Sequence, residues 1–202
     1  PTSPRRPPPV LLIGSPEHWH HRHLIDTVQA GKDAYCEKPM GHTLRECEEM
    51  VKAVRKTECI VQIGMQRRST KSIIEAKKIY DSGALGDVSL VRAWWYWNMP
   101  QIPKDIKFDG KIDWDRFQAP CAAKDRIAPN AARYNYWRYF WPYSGGNMTD
   151  QGTHLMDVIQ WFANNSEPPL AAQEHGAVYG HPDWETPDVF SAIFEYPKFM
   201  AT

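Results

Sequence analysis

The sequence predicts an α/β chain in which a parallel sheet is followed by an α+β domain with an open, mainly antiparallel sheet. Two observations carry this prediction. The first half alternates short apolar runs with helical segments, an order typical of right-handed crossovers and parallel strands. After residue 86 the alternation stops, and strand-like runs near 172–179 and 189–196 follow a single helical pattern.

The parallel strands are predicted at residues 10–14, 33–36 and 59–64. Each is a short apolar run of the kind that is buried on both faces of a sheet. Ser15-Pro16 is typical of a helix start, with serine as the N-cap, and Thr43 with Glu46 forms a capping box. The helices that follow the strands are therefore expected at about 16–30, 43–56 and 70–81.

Three parallel strands are half of a doubly wound nucleotide-binding domain. We therefore interpret residues 10–86 as the carboxyl-terminal half of a Rossmann-like domain and 87–202 as part of a substrate and oligomerisation domain. Residues 1–9, five of them proline, are expected to be irregular. The later region is predicted to contain a long strand at 88–97, an extended loop at 98–132 and a helix at 148–162.

The charge balance narrows the classes of partner. With 24 basic and 24 acidic side chains, the chain offers no field to attract nucleic acid or an anionic membrane. No apolar run approaches the ~20 residues needed to cross a bilayer. A small-molecule ligand is the expected partner. A cytoplasmic location is favoured and a periplasmic one stays open, because the chain does not begin with methionine.

Ligands bind beyond the carboxyl ends of the strands in an open parallel sheet. The predicted strand ends are 14–16, 37–39 and 64–67, and each carries polar side chains. Lys38 precedes a proline, which restricts its backbone. In a desolvated crevice such a lysine polarises or protonates a substrate oxygen, and the alternative is a solvated lysine in a surface loop.

Asp150 and His154 are four residues apart on the predicted helix, so both are expected on one face. A histidine oriented by a carboxylate is the usual general base near neutral pH. The alternative is that Asp150 caps the helix and His154 is an interior histidine.

Two clusters have several interpretations. His18, His20, His21 and His23 lie close together, but no cysteine or carboxylate completes a tetrahedral set, so no metal site is predicted. We expect His18 and His20 to form the floor of a cofactor crevice instead. The aromatic run 94–97 is either a sugar platform or packing, and at most two of its members face one side of a strand.

Together these segments resemble the Gfo/Idh/MocA oxidoreductases, the family of glucose–fructose oxidoreductase and inositol dehydrogenase. The stretches that carry the resemblance are VLLIGSPEHWHHRHLIDTVQAGKDAYCEKPM, IGMQRRS, the Gly-Ala-Leu-Gly turn and GGNMTDQGTHLMDVIQWF. They cover most of the chain from residue 10 onward. Compared with the family pattern, the first βαβ half with its glycine-rich turn and the end of the second domain are missing, so the chain is expected to be truncated at both ends.

The resemblance implies an enzyme that transfers a hydride between NAD or NADP and a sugar, polyol or related carbohydrate. The implied catalytic residues are Lys38, Asp150 and His154. The residues expected at the dinucleotide are Ser15, Pro16, His18, His20, Glu37, Lys38, Pro39, Gln66 and Arg67. A homo-oligomer is expected for the complete protein. Two alternatives stay open: an NAD-dependent glycosidase of the same family, and an inactive chain that serves only in subunit packing.

Overall fold

The computed structural model describes residues 9–96, 98–163 and 166–202. The proline-rich start expected at 1–9 therefore lies almost wholly outside the described residues. The strands are β1 (Val10–Ile13), β2 (Asp33–Glu37), β3 (Val61–Gly64), β4 (Leu90–Val91), β5 (Ala171–Ala177), β6 (Val189–Glu195) and β7 (Met200–Ala201). The α-helices are α1 (Glu17–Gln29), α2 (Leu44–Val54), α3 (Lys71–Asp81), α4 (Trp114–Phe117), α5 (Ala131–Asn135) and α6 (Thr153–Phe162). Short 3₁₀ turns lie at Gln66–Ser69, Ala123–Asp125 and Trp137–Tyr139, and a π-helical turn lies at Met148–Gly152.

The described chain divides into two compact units. The first comprises residues up to Gly64 together with Gly110–Pro129 and Pro142–Ser144. The second comprises Met65–Asp109, Asn130–Trp141 and Gly145–Thr202. Residues 65–86, assigned to the first domain from the sequence, thus group with the second unit, and the domain boundary near residue 87 stays a prediction.

The first unit is built on a parallel sheet in the order β1-β2-β3. This confirms the predicted α/β class and the parallel pairing of the three strands. Its core lies on one face of the sheet, where Ile13, Ala34 and Cys36 pack with Leu24 of α1 and Met50 of α2.

β1 is less buried than its apolar sequence predicts. The side chains of Val10 and Leu12 are 67% and 72% exposed, and Ile13 alone is buried. β1 is one of the two edge strands of this sheet, and successive side chains alternate between its faces. The prediction of burial on both faces was wrong for β1, because the core packs on the face that carries Ile13.

Of the two helix starts predicted from the sequence, the structure confirms one and contradicts the other. At α2 the Thr43 hydroxyl accepts from the Glu46 amide at 3.2 Å, and Glu46 Oε2 accepts from the Thr43 amide at 3.2 Å, which confirms the capping box. At α1 the predicted Ser15 cap is wrong. The Ser15 hydroxyl lies 3.0 Å from Nδ1 of His23, and Pro16 is the N-cap.

The second unit is built on a mixed sheet in the order β4-β7-β6-β5. The pairs β5/β6 and β6/β7 are antiparallel and β4/β7 is parallel, which confirms the expected mainly antiparallel sheet. The long strand predicted at 88–97 is wrong, because β4 has only two residues and its neighbour β7 has two. Trp97 lies outside the described residues. The region predicted as a loop at 98–132 contains α4, a 3₁₀ turn and the start of α5.

Candidate active site

The carboxyl ends of the parallel strands lie in the first unit. Gly14 and Ser15 follow β1, Glu37 ends β2, and Gly64 ends β3. A Cβ added at Gly14 would meet no described atom within 4 Å, so the backbone there is open to a ligand. Open parallel sheets bind their ligands at this edge, and the residues present therefore fit the expected nucleotide.

Lys38 follows β2 directly and is half-buried. The Lys38–Pro39 peptide bond is cis, and the Pro39 side chain is buried. The preceding Glu37 is also half-buried. The structure thus places Glu37 at the end of the central strand of the parallel sheet, and Lys38 and Pro39 on the turn that leaves it.

His20 connects two of these strand ends. Its Nδ1 lies 2.7 Å from the carbonyl oxygen of Pro39, and its Nε2 lies 2.7 Å from the carbonyl oxygen of Ser15. The imidazole is buried. Its contacts therefore join the turn after β1 to the turn after β2, and contact of this ring with a cofactor stays a prediction.

His18 has an interior position in the same unit. Its Nε2 lies 2.7 Å from the Phe117 carbonyl oxygen, and its ring packs 5.0 Å from that of Phe117 and 5.2 Å from that of Tyr143. Burial lowers the pKa of His18 to about 4, although the hydrogen bond to Phe117 opposes the shift. These contacts describe a neutral packed histidine, and its predicted place in a cofactor crevice stays untested.

Asp150 and His154 lie in the second unit on one continuous helical segment. Asp150 belongs to the π-helical turn and His154 to the first turn of α6, and both side chains are buried. A π turn holds one residue more than an α turn, and four residues span close to one turn in both, so the two side chains are still expected on one side of the segment. π turns occur frequently at functional sites.

The Asp150 carboxylate has partners that the sequence did not indicate. Its Oδ2 lies 3.2 Å from Nε of Arg138 and accepts from Nε2 of Gln151 at 2.9 Å. A buried carboxylate needs such partners, because an unpaired charge removed from water is costly. Arg138 is twelve residues away in an aromatic segment, and no spacing rule points to it.

His154 stacks on an aromatic ring. Its plane lies 20° from that of Trp95 with ring centroids 6.0 Å apart, and the guanidinium carbon of Arg67 lies 4.6 Å from the Trp95 centroid. His154 and Arg67 both line a cavity of about 440 Å³. Gln66 is exposed at the start of the neighbouring 3₁₀ turn. The structure therefore brings His154 and Arg67 together at one cavity, and each of them contacts the Trp95 ring.

A second ion pair was also missed from the sequence. Arg68 holds Asp157 of α6 through Nε and Nη2, with three N···O distances between 2.7 and 2.9 Å. Arg68 follows Arg67 in the predicted strand-end motif, and Asp157 lies three residues after His154. This bidentate pair joins the 3₁₀ turn to the helix that carries His154.

Within the described ranges, no group of three or more His, Cys, Asp or Glu side chains is arranged to hold a metal ion. None of the described helices combines the length and the apolar character that a membrane crossing requires.

Comparison with known proteins identifies the class of protein as an oxidoreductase with a Rossmann fold. Residues 3–65 match the family described as "Oxidoreductase family, NAD-binding Rossmann fold", and residues 121–202 match the "GFO/IDH/MocA C-terminal domain". Both descriptions concern one family. The chain belongs to the Gfo/Idh/MocA oxidoreductases, as the sequence motifs predicted. The family's description as NAD-binding agrees with the expected nicotinamide cofactor.

Two relatives show the level of sequence similarity. Inositol 2-dehydrogenase 1 of Saccharopolyspora erythraea is 37% identical over 83 residues, which are 41% of this chain and 25% of that protein. Levoglucosan dehydrogenase of Pseudarthrobacter phenanthrenivorans is 30% identical over 106 residues, 51% of this chain and 27% of that protein. The matched region is thus about a quarter of each relative's length.

Solved structures share the fold over nearly the whole chain. The WlbA dehydrogenase of Bordetella pertussis, in complex with NADH and UDP-GlcNAcA, superposes with a TM-score of 0.70 at 22% identity. The match covers 95% of this chain and 50% of that one. The myo-inositol 2-dehydrogenase of Lactobacillus plantarum gives 0.68 at 23% identity, covering 95% and 48%. The chain therefore spans about half the length of these structures.

Proposed function

We propose that this chain forms part of an oxidoreductase that transfers a hydride between a nicotinamide cofactor, NAD or NADP, and a sugar, polyol or related carbohydrate. The observation that carries the proposal is His154, a buried imidazole that lines a cavity together with Arg67 and continues the helical segment of Asp150. Family membership supports the class of reaction. Relatives named inositol and levoglucosan dehydrogenases support a polyol or sugar as the substrate.

The chemistry divides between cofactor and protein. When bound, the nicotinamide ring supplies hydride acceptance or donation. Residues assigned to hold the dinucleotide are Ser15, Pro16, Glu37, Lys38, Pro39, Gln66 and Arg67. The open backbone at Gly14 supports ligand approach at the first of these positions. His18 and His20 are assigned to the floor of the same crevice, and the contacts of His20 with the carbonyl oxygens of Ser15 and Pro39 support its place there.

His154 is assigned the proton transfer. As the carbinol carbon is oxidised, the hydroxyl proton moves to the imidazole, and it returns in the reverse direction. Lys38 is assigned to stabilise the negative charge that develops on the same oxygen. Asp150 is assigned a positioning role, because its carboxylate is held by Arg138 and Gln151 next to the helix turn of His154.

Cofactor binding is tested on the 202-residue chain by titration with NADH and NADPH, with energy transfer from tryptophan to the reduced nicotinamide as the signal. Saturable transfer that weakens in Lys38→Ala supports the proposal, and the stronger of the two ligands identifies the cofactor. Lys32→Ala, which changes the lysine directly before β2, is the matched control and is expected to bind normally. A folded chain that shows no transfer contradicts the proposal and favours the alternative of a chain that serves only in subunit packing.

The proton-transfer role is tested by NADH formation from myo-inositol and NAD. General acid–base groups contribute about 10²–10⁴-fold, so His154→Ala is expected to lower turnover by at least about 10²-fold while cofactor affinity is retained. His175→Ala removes an exposed histidine of β5 and is expected to be neutral. Equal losses of turnover and cofactor affinity in His154→Ala would argue against the role. The relatives described above are named dehydrogenases, so the glycosidase alternative is not supported.

A further inference from the structure

His23 is the histidine of the amino-terminal cluster that contacts a side chain at the strand ends. Its Nδ1 lies 3.0 Å from the hydroxyl oxygen of Ser15, the second residue after β1. Both side chains are half-buried, so the pair lies at the boundary between the packed unit and solvent. Open parallel sheets bind ligands at this edge, and the backbone of the neighbouring Gly14 is open. The Ser15 hydroxyl therefore lies where a ligand is expected, and His23 is its hydrogen-bond partner.

The imidazole of His23 is restrained by a second contact. Its ring stacks on the indole of Trp19, with centroids 4.6 Å apart and planes at 23° to each other. Trp19 is itself fixed, because its Nε1 donates to the carbonyl oxygen of Phe117 at 2.9 Å. A hydroxyl rotates about its C–O bond, whereas the stack restrains the imidazole. The ring of His23 therefore sets the direction of the Ser15 hydroxyl.

His23 is neutral near pH 7 and can accept a hydrogen bond. Burial has the largest effect on this imidazole and lowers the pKa of His23, although the Asp26 carboxylate opposes the shift. The other titratable or charged groups that face it also lower this pKa, and they are His20, Arg116 and Arg22. A neutral imidazole has one N–H and one acceptor nitrogen, so Nδ1 accepts when the proton is on Nε2. The Ser15 hydroxyl then donates to His23, and its oxygen lone pairs are left for another donor.

We propose that His23 is a positioning residue for dinucleotide binding, in which its Nδ1 accepts a hydrogen bond from Ser15 and so directs the Ser15 oxygen toward a donor group of the cofactor. A nicotinamide dinucleotide offers hydroxyl and amide N–H donors. The inference rests on the proposed function, because it takes Ser15 as a dinucleotide contact. It adds a residue that acts through Ser15, and it predicts that binding requires an acceptor at this position rather than an imidazole as such.

Two substitutions at His23 separate the acceptor from the ring. His23→Phe keeps a ring that can stack on Trp19 and removes the acceptor, so it is expected to weaken dinucleotide binding about five- to tenfold. His23→Asn removes the ring, but its side-chain oxygen reaches the place of Nδ1, and its affinity is expected to stay within about twofold of the unmodified chain. The ligand is NADH or NADPH, whichever the unmodified 202-residue chain binds more tightly, and the signal is energy transfer from tryptophan. His21→Phe changes a half-buried histidine of the same helix that contacts Glu49, and this control is expected to bind normally.

A double-substitution cycle shows whether His23 acts through Ser15. Ser15→Ala removes the hydroxyl and is expected to weaken binding by about the same five- to tenfold. If His23 acts only by directing that hydroxyl, the double variant binds as weakly as Ser15→Ala alone. A purely structural role of His23 predicts instead that the two losses multiply. Multiplied losses, or equal weakening by His23→Asn and His23→Phe, overturn the proposal.

The hydrogen bond itself is tested without cofactor by ¹⁵N NMR of the histidine rings of the unmodified chain at about pH 7. The signals of His23 are expected to be those of a neutral ring with its proton on Nε2. Ser15→Ala is expected to shift the Nδ1 signal of His23 and to leave that of His21 in place. A proton on Nδ1, or an Nδ1 signal that does not respond to Ser15→Ala, overturns the proposal even where His23→Phe misfolds.

Failure of this inference is distinguishable from failure of the proposed function. Saturable dinucleotide binding that His23→Phe leaves unchanged contradicts the inference and leaves the oxidoreductase standing. A folded chain that binds neither NADH nor NADPH, although NMR shows the bond between Ser15 and His23, contradicts the oxidoreductase, and the positioning role falls with it.

Discussion

Replacing Gly146 with alanine tests how the chain enters the helical segment that carries the candidate site. Gly146 has a φ of +73°, and a Cβ placed there would lie 2.6 Å from Cβ and 2.7 Å from Oγ1 of Thr186. Thr186 is fully buried, so its side chain cannot move away into solvent. A left-handed backbone costs an L residue about 1–2 kcal/mol, and overpacking adds about 1–3 kcal/mol. Gly146→Ala is therefore expected to lower the free energy of unfolding by about 2–5 kcal/mol.

The control for this prediction is Gly83→Ala. Gly83 has nearly the same φ, +75°, but an added Cβ meets no described atom within 4 Å. Both glycines belong to the second unit. Gly83→Ala should therefore cost only the backbone term of about 1–2 kcal/mol. Urea unfolding followed by tryptophan fluorescence measures both losses, and equal values would refute the reasoning that Thr186 constrains the position.

Two further predictions concern the first unit. Burial lowers the pKa of His18 from 6.5 to about 4, so the unfolded chain binds this proton more readily than the folded chain. Titration of His18 therefore does not reduce the free energy of unfolding above pH 6.5, and it lowers that free energy by about 3 kcal/mol as the pH drops to 4. Urea unfolding across this range should show the slope, and His18→Gln should flatten it; an unchanged slope in the variant would contradict the assignment. His20→Leu removes the imidazole contacts of two carbonyl oxygens and is expected to cost about 1–3 kcal/mol. His21→Leu, on the same helix, removes only a partly exposed contact with Glu49 at 3.0 Å and should cost much less. Comparable losses for the two leucine variants would show that the bonds of His20 contribute little.

The features that the sequence predicted correctly depend on residues close together in the chain. The capping box of Thr43 and Glu46 needs only three intervening steps and forms as expected. The three parallel strands follow from the alternation of apolar runs and helical segments. Their carboxyl ends meet at one edge of the sheet, so the turn that carries Lys38 was also predictable.

The features that were missed depend on partners that lie far apart in sequence. The aromatic residues after β4 favour a strand, but a strand extends only as far as its neighbour provides hydrogen bonds, and β7 provides two residues. Val10 and Leu12 are exposed because the core packs on the opposite face of β1, and no local pattern reports whether a second face is covered. Arg138 reaches Asp150 through the tertiary fold. Burial patterns and ion pairs of this kind require the topology first.

The π-helical turn shows which features of the candidate site a local rule predicts and which it does not. A spacing of four predicts that Asp150 and His154 lie on one side of the segment, because four residues span close to one turn of either an α- or a π-helix. The spacing gives no information on the groups that hold the Asp150 carboxylate. Arg138, twelve residues earlier in the chain, and the neighbouring Gln151 contact it at 3.2 Å and 2.9 Å. The relative direction of two residues on one helical segment therefore follows from the sequence, whereas the partners of a buried carboxylate depend on the tertiary fold.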